Sequence, residues 1–427
     1  MRTVGLITEY NPFHKGHQYH IEQARRITGA DAVVVVMSGN FVQRGEPAIV
    51  DKYTRTRMAL ACGADLVMEL PTLYATASAE YFAYGAVQLL TLLGVDCLCF
   101  GSECNNLEAM SALADILSSE PEEFQVLLRE QLAFGLSFPK ARAAALTAIT
   151  GASDLLPAPN NLLGIEYLKA LKKLHSKVVP YTIQRIGMAY SDCNLASSDR
   201  TPTETFASAS ALRTLLSEQS GHVFKASDSK TAAANESAST AAEQLAAYIP
   251  AAALPHLQSA LAQSVPVFAD DLSALLCYKL YSIIHEDSAL LLNYMDVSEP
   301  LANKLCKIID GEHFQGTFTE LIHKLKSRDF TYSRISRALL HILLDIKLDS
   351  YTCLTPYARI LGFNAKGQAF LSDCRKTCPI PLITKVADDA DLLKHDIYAA
   401  DIYNQVVYAK SGIVLPNDYI HGVIRQM

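Results

Sequence analysis

The sequence predicts an α/β protein: an N-terminal, Rossmann-like, doubly wound parallel sheet followed by a mostly helical second half. Two observations carry this. Over the first hundred residues, apolar and β-branched runs at Val4 to Ile7, Ala32 to Met37, Asp65 to Leu70 and Val95 to Gly101 alternate with helical stretches. Those stretches lie at Tyr19 to Thr28, Lys52 to Cys62 and Ser78 to Leu93. Continuous apolar strands separated by amphipathic helices need cover on both faces, and right-handed crossovers then wind the helices to either side. The second observation is the character of the residues that end each run. Glu9-Tyr10-Asn11, Ser38-Gly39-Asn40, Glu69-Leu70-Pro71 and Gly101-Ser102-Glu103 are polar or rich in Gly and Pro. Strand carboxyl ends of such sheets form the ligand crevice.

Beyond this region the pattern is helical from Asn105 to about Leu146. A turn at Pro157 to Asn161, a helix over Leu162 to Leu174 and a strand over Val178 to Ile186 come next. Residues 226–247, rich in Ala, Ser and Thr, read as a surface insertion or linker. After Leu254 helices are expected near 270–285, 299–309, 315–326 and 331–346. A β-like or loop segment at Ala358 to Phe363 then precedes more helix to about Val407. The expected division is 1–250 and 251–427.

With 427 residues, half of them hydrophobic and 19% charged, the chain is suited to two or three packed domains. A net charge of −7 argues against binding polyanions through the whole surface, though a local basic patch remains compatible with it. The ten cysteines show no paired metal-ligand spacing and read as buried apolar residues of a reducing compartment. No secretion signal opens the chain and no apolar run is long enough to span a bilayer, so a cytoplasmic protein without a membrane partner is expected.

The richest segment is Glu9-Tyr10-Asn11-Pro12-Phe13-His14-Lys15-Gly16-His17-Gln18, set between the first strand and the first helix. Backbone N–H groups and the helix dipole gather an anion there, and Gly16 lets a phosphate approach the backbone. His14 and His17 can donate to phosphate oxygens, increasingly so as negative charge develops. His20, one turn on, is either a supporting partner or a surface residue. The second segment, Met37 to Ala48, lies at the end of the second strand. In it Arg44 suits phosphate charge, and Asn40 or Glu46 suits a small polar substrate. Gly101 ends the fourth strand and would let a base or ribose lie on the backbone. Ser208, Ser210 and Arg213 open a later helix as a second anion site, which Arg185 can also reach. Arg334, Arg337 and His341 share a helical face, with Lys304, Lys307, Lys324, Lys326 and Arg328 nearby. This reads either as a solvated helix face or as a grip on an RNA backbone.

The His14-Lys15-Gly16-His17 tetrapeptide resembles the HxGH signature of nucleotidyltransferases, which cleave ATP between its α- and β-phosphates. The Ser208 to Arg213 segment resembles their C-terminal phosphate motif. Over nearly the full length the chain resembles the bacterial tRNA(Met) cytidine acetate ligase family. The resemblance rests on Glu9 to His17, Met37 to Ala48, Gly63 to Pro71, Phe100 to Glu103, Pro159 to Tyr167, the Arg185 segment and Tyr332 to Arg337. It departs at Tyr53, where Trp is expected, and near residue 230.

This resemblance implies a ligase that uses ATP and acetate to form N4-acetylcytidine at the wobble position of elongator tRNA(Met). An acetyl-adenylate would be the intermediate, pyrophosphate and AMP the products, and Mg²⁺ would accompany ATP. It further implies an ATP site over Ile7, Thr8, Glu9, Tyr10, Asn11, Pro12, Phe13, His14, Lys15, Gly16, His17, Gln18, Tyr19 and His20. Gly101, Asn161 (or Asn160), Arg185 and Ile186 would complete that site, and residues 251–427 would bind the tRNA. Two other readings stand beside it: an adenylyltransferase acting on a small phosphorylated metabolite, and a non-catalytic RNA-binding protein.

Overall fold

The computed structural model describes residues 1–151, 158–185, 208–225, 245–263, 266–311, 313–328, 330–351 and 356–426. The expected insertion at 226–247 and the candidate Ile186 fall largely or wholly outside them.

The expected strands form one twisted sheet. β1 (Thr3–Thr8) lies at its centre, between β2 (Ala32–Ser38) and, on the other side, β6 (Cys97–Ser102). β5 (Leu66–Leu70) extends the sheet beyond β2, and β7 (Val179–Gln184) closes the β6 edge. All these pairings are parallel. The direction of winding reverses at β1, which puts the crevice at the carboxyl ends of β1, β2 and β6.

Alternating residues of the sheet feed two cores. Val34, Val36, Leu98 and Phe100 pack on one face against the helices Ala79–Leu92 and Pro159–Lys173. Val4, Leu6, Val33, Val35 and Met37 pack on the other against α1 (Lys15–Thr28) and α2 (Lys52–Ala61). Helix α1 starts at Lys15, four residues before the apolar periodicity begins, because His14 caps it.

The segment at Ala358 to Phe363 resolves into a buried strand, β8, which joins this same sheet. β8 (Ala358–Phe363) pairs antiparallel with β5 and parallel with β9 (Leu382–Ile383) and β10 (Ile424–Arg425). The chain after residue 250 thus builds a helical core around Leu339 and Ile342, then returns to complete the N-terminal sheet.

The loop after β2 is a tight hairpin of β3 (Phe41–Val42) and β4 (Glu46–Pro47). Its turn docks on the helix Tyr332–Leu343, where Ser336 Oγ donates to Gly45 O at 2.9 Å. This docking takes Arg337 and His341 out of the cationic face expected of that helix, while Arg334 and Lys304 are half-buried and Lys307, Lys324, Lys326 and Arg328 exposed. Arg337 is buried and pairs with Asp296 at 2.9 Å, and the fully buried His341 ring faces Thr76 O and Met295 O. The N-terminal half covers the face that periodicity left polar.

Gly45 has φ 80°, and a Cβ there would overlap the backbone of Ser336 and Arg337. Gly45→Ala is therefore expected to destabilise the protein by about 1–3 kcal/mol, read as a lowered urea midpoint.

Candidate functional site

Past Thr8 the backbone turns at Tyr10, whose φ of 51° is left-handed, and passes through a cis Asn11–Pro12 peptide. Thr8, Tyr10, Asn11, Pro12 and Phe13 are buried and form the floor of the turn. Asn11 Oδ1 accepts from Ile49 N at 2.9 Å. The Tyr10 and Phe13 rings meet edge-on at 4.7 Å, and the His17 ring lies 4.8 Å from Tyr10. Ile7, at the end of β1, and Lys15, Gly16, His17, Gln18, Tyr19 and His20 are half-buried and form the open side. Lys15 Nζ donates to Ala247 O at 2.5 Å, and Gln18 Nε2 to Glu22 at 2.9 Å.

His14 Nδ1 accepts from Gly16 N at 3.0 Å, and His17 Nδ1 accepts from His14 N at 3.2 Å. This reciprocal cap satisfies donors that a helix start otherwise leaves orphaned. It also decides the tautomers. With both Nδ1 atoms accepting, each neutral ring carries its proton on Nε2. The rings stack with centroids 3.8 Å apart, so two N–H donors sit side by side.

Burial, then the nearby Arg185 and Arg213, pushes His14 down to about 3. Burial, then His14, His20 and Arg185, drives His17 well below its ordinary value. His20 falls to about 4, mainly through burial, and its Nε2 has no hydrogen-bond partner among the described residues. All three are therefore neutral at pH 7.

A histidine depressed in the folded state is neutral there while its unfolded counterpart takes up a proton below about 6.5. The ligand-free protein is thus expected to lose stability as pH falls from 6.5 toward 4. Imidazole ¹⁵N NMR checks the assignment: neutral Nε2–H signals for His14 and His17, with no titration midpoint between pH 5 and 8.

Two arginines converge on these rings. Arg213 donates to Asn11 O at 3.0 Å and to Ser210 Oγ at 3.2 Å, tying α3 (Ala209–Lys225) to the β1–α1 turn. Of the two serines, Ser208 is buried and caps α3 by accepting from Ala211 N at 3.1 Å. Ser210, which accepts from Arg213, keeps a hydroxyl proton to donate. Arg185 sits just beyond β7, and Gly101 makes room for it: a Cβ at 101 would lie 3.2 Å from Arg185 Cγ. Arg185 is only loosely paired with Glu103, at 3.9 Å.

Other expected residues act as braces. Asn161 is buried, and its Oδ1 accepts from Glu103 N and Cys104 N at 2.9 and 3.2 Å. Glu103 in return accepts from the Asn160 and Asn161 backbone N–H groups. Asn40 is buried and accepts from Lys52 N at 2.9 Å. Arg44 and Glu46 are half-buried on the β3–β4 hairpin. They face Glu9, whose carboxylate accepts from Gln43 N at 2.9 Å. Burial raises the Glu9 pKa against the opposing pull of Arg213 and Arg44.

Two groups escaped the sequence reading. Arg55 is fully buried beneath the turn. Lys52, Glu69, Arg359 and Asp418 form a buried network, with Lys52 Nζ 2.9 Å from Glu69 and 2.8 Å from Asp418, and Arg359 3.0 and 2.7 Å from the same two carboxylates. The only local signal was a run of polar residues, Lys52 to Thr56, in a helix that turns out to be buried.

Comparison with known proteins agrees with this geometry. The family model described as HIGH Nucleotidyl Transferase matches residues 1–413. The chain is 41% identical to the tRNA(Met) cytidine acetate ligase of Caldanaerobacter subterraneus over the full length of both. It is 40% identical to that of Acetivibrio thermocellus, over 96% of this chain and 98% of the relative. Thermotoga maritima TmcAL superposes over all of both chains, with a TM-score of 0.85 at 30% identity for the apo form. The form bound to alpha-thio ATP gives 0.83 at 29%. The chain belongs to the HIGH nucleotidyl transferase family and, within it, to the tRNA(Met) cytidine acetate ligases.

Proposed function

We propose that the protein is an ATP-dependent ligase that acetylates the wobble cytidine of elongator tRNA(Met) at N4. An acetate oxygen attacks the α-phosphorus of ATP, and the bond to the β-phosphate oxygen breaks. Acetyl-adenylate forms and pyrophosphate leaves. The exocyclic amine of cytidine then attacks the acetyl carbonyl, AMP departs, and the amine loses a proton. An aromatic amine conjugated to its ring is a weak nucleophile, so prior activation of acetate is a chemical requirement.

One observation carries the reading: the stacked, neutral His14 and His17 present two Nε2–H donors at a helix N-terminus, with Arg185 and Arg213 beside them. Such donors strengthen as charge builds on the α-phosphate. Arg213 and Ser210 would hold the departing pyrophosphate, and Arg44, Glu46 and Glu9 would line the side where acetate enters. The target base must leave its stack to reach this crevice. In this reading residues 251–427, docked on the β3–β4 hairpin, present the tRNA.

Among the described residues no group of three or more His, Cys, Asp or Glu side chains is placed to hold a metal. Mg²⁺ would therefore be carried by the ATP phosphates. No helix of the described residues is long and apolar enough to cross a membrane. A cytoplasmic setting suits the substrates.

The test is incubation with ATP, labelled acetate and total tRNA, and then nucleoside analysis. Label in N4-acetylcytidine supports the proposal. Unlabelled tRNA accompanied by a metabolite carrying AMP supports adenylyl transfer instead. No consumption of ATP leaves only an RNA-binding protein.

A further inference from the structure

We infer that Arg55 is a positioning residue of the reaction, a clasp that holds the two turns of the nucleotide crevice in register without touching the substrate. Its guanidinium is fully buried, yet every hydrogen bond it donates goes to a backbone carbonyl: Glu9 O at 2.8 Å, Ser38 O at 3.0 Å, Val50 O at 3.1 Å, and Gly39 O. No carboxylate among the described residues forms an ion pair with it. Burial accordingly lowers its pKa.

A buried cation with such partners is costly to keep, and placing a carboxylate beside it is the usual remedy. Here the fold instead directs its planar array of donors at main-chain acceptors, a geometry Lys cannot reproduce.

The location gives the arrangement its meaning. The β1–β2 ladder ends at Thr8 and Met37, and the next carbonyls out are those of Glu9 and Ser38. They belong to the turn that delivers His14 and His17 and to the turn that delivers Asn40 and Arg44. Both lie beyond the last β1–β2 ladder pair, and unrestrained these C=O groups would present negative partial charge to an incoming triphosphate. Arg55 binds both turns from below, turns their carbonyls toward itself and continues the β1–β2 seam past its last ladder pair. A displacement of the turn by even 1 Å is enough to spoil an in-line attack.

The inference rests on the reading that ATP occupies the β1–α1 turn, so the first measurement is ATP binding to the unaltered protein by calorimetry. Absence of binding removes that reading and this inference with it. Given binding, Arg55→Lys and Arg55→Met are purified as monodisperse protein and compared per folded molecule. The expected result is a rise in KM for ATP, a fall in kcat, or both, giving a loss of about 10–100-fold in kcat/KM for ATP. The tRNA dissociation constant should stay within twofold. Arg55→Lys should keep more activity than Arg55→Met. Unchanged ATP parameters in Arg55→Lys overturn the inference. So does a loss of folded yield in both variants with normal kinetics in whatever remains folded, which would make Arg55 a support of the fold alone.

Discussion

Replacing His17 with Ala is expected to lower kcat about 10²–10³-fold, the effect of deleting one preorganised donor to a developing oxyanion. Folding should lose only about 1 kcal/mol, the worth of a helix-capping interaction. The asymmetry comes from the two ends of the ring. Nδ1 accepts from His14 N and serves the helix, whereas Nε2–H lies on the opposite side of the ring and, in the proposed reaction, is the donor to the α-phosphate. His14→Asn separates these roles on the other histidine. The Asn oxygen can accept from Gly16 N as His14 Nδ1 does, but the outward imidazole donor is gone. Its melting temperature should therefore approach that of the parent while kcat falls as for His17→Ala. Steady-state kinetics in ATP with thermal melts of the same preparations test both statements. A His17→Ala enzyme with parental kcat would remove the paired imidazoles from the chemistry.

Lys52→Met is expected to destabilise the protein by about 3–5 kcal/mol, the effect of breaking a buried ion pair from one side. Lys52, Arg359, Glu69 and Asp418 are all buried, two basic groups against two acidic ones, and burial raises the Glu69 pKa against the opposing pull of Lys52 and Arg359. Removing one cation leaves two carboxylates sharing Arg359. Burial pushes Asp418 toward the neutral acid, but Lys52 and Arg359 outweigh it and hold its carboxyl below the usual carboxylate range. Its stabilising contribution is thus complete at neutral pH and fades in acid, below the pH where an unfolded Asp protonates.

Removing a cation and an anion together, as Lys52→Met with Glu69→Gln, should cost less than the sum of the two single changes. Urea denaturation of the two single variants and the double variant measures this coupling. Because Tyr53 also donates to Asp418 and Lys52 N donates to Asn40, weakening the network should loosen the chain's C-terminal segment and the hairpin loop together.

The parallel sheet and its crevice were legible because each rests on local pattern. A run such as Ala32-Val33-Val34-Val35-Val36-Met37 can only be buried on both faces, and the run from Glu9 to Gln18 carries its own helix cap and anion site. The exposed or buried fate of Arg337 and His341 was not legible. A helix of that pattern has a polar stripe in either case, and only tertiary contacts with Gly45, Thr76, Met295 and Asp296 cover it. Asn161 matches a nucleotide-site position by resemblance, and its Oδ1 accepts from Glu103 N and Cys104 N, a contact that no local pattern announced.

The strand–turn–helix that carries His14 and His17 is encoded locally, since cap, glycine and apolar run lie within some twenty neighbouring residues. Long-range packing is what joins Ala358–Phe363 to the N-terminal sheet. It alone decided that Lys52 meets Asp418 across 366 residues and that Arg55 clasps two turns from below. Those pairings are chosen by which surfaces bury each other when distant segments collapse. A buried charge declares its partner only once that partner has been brought to it.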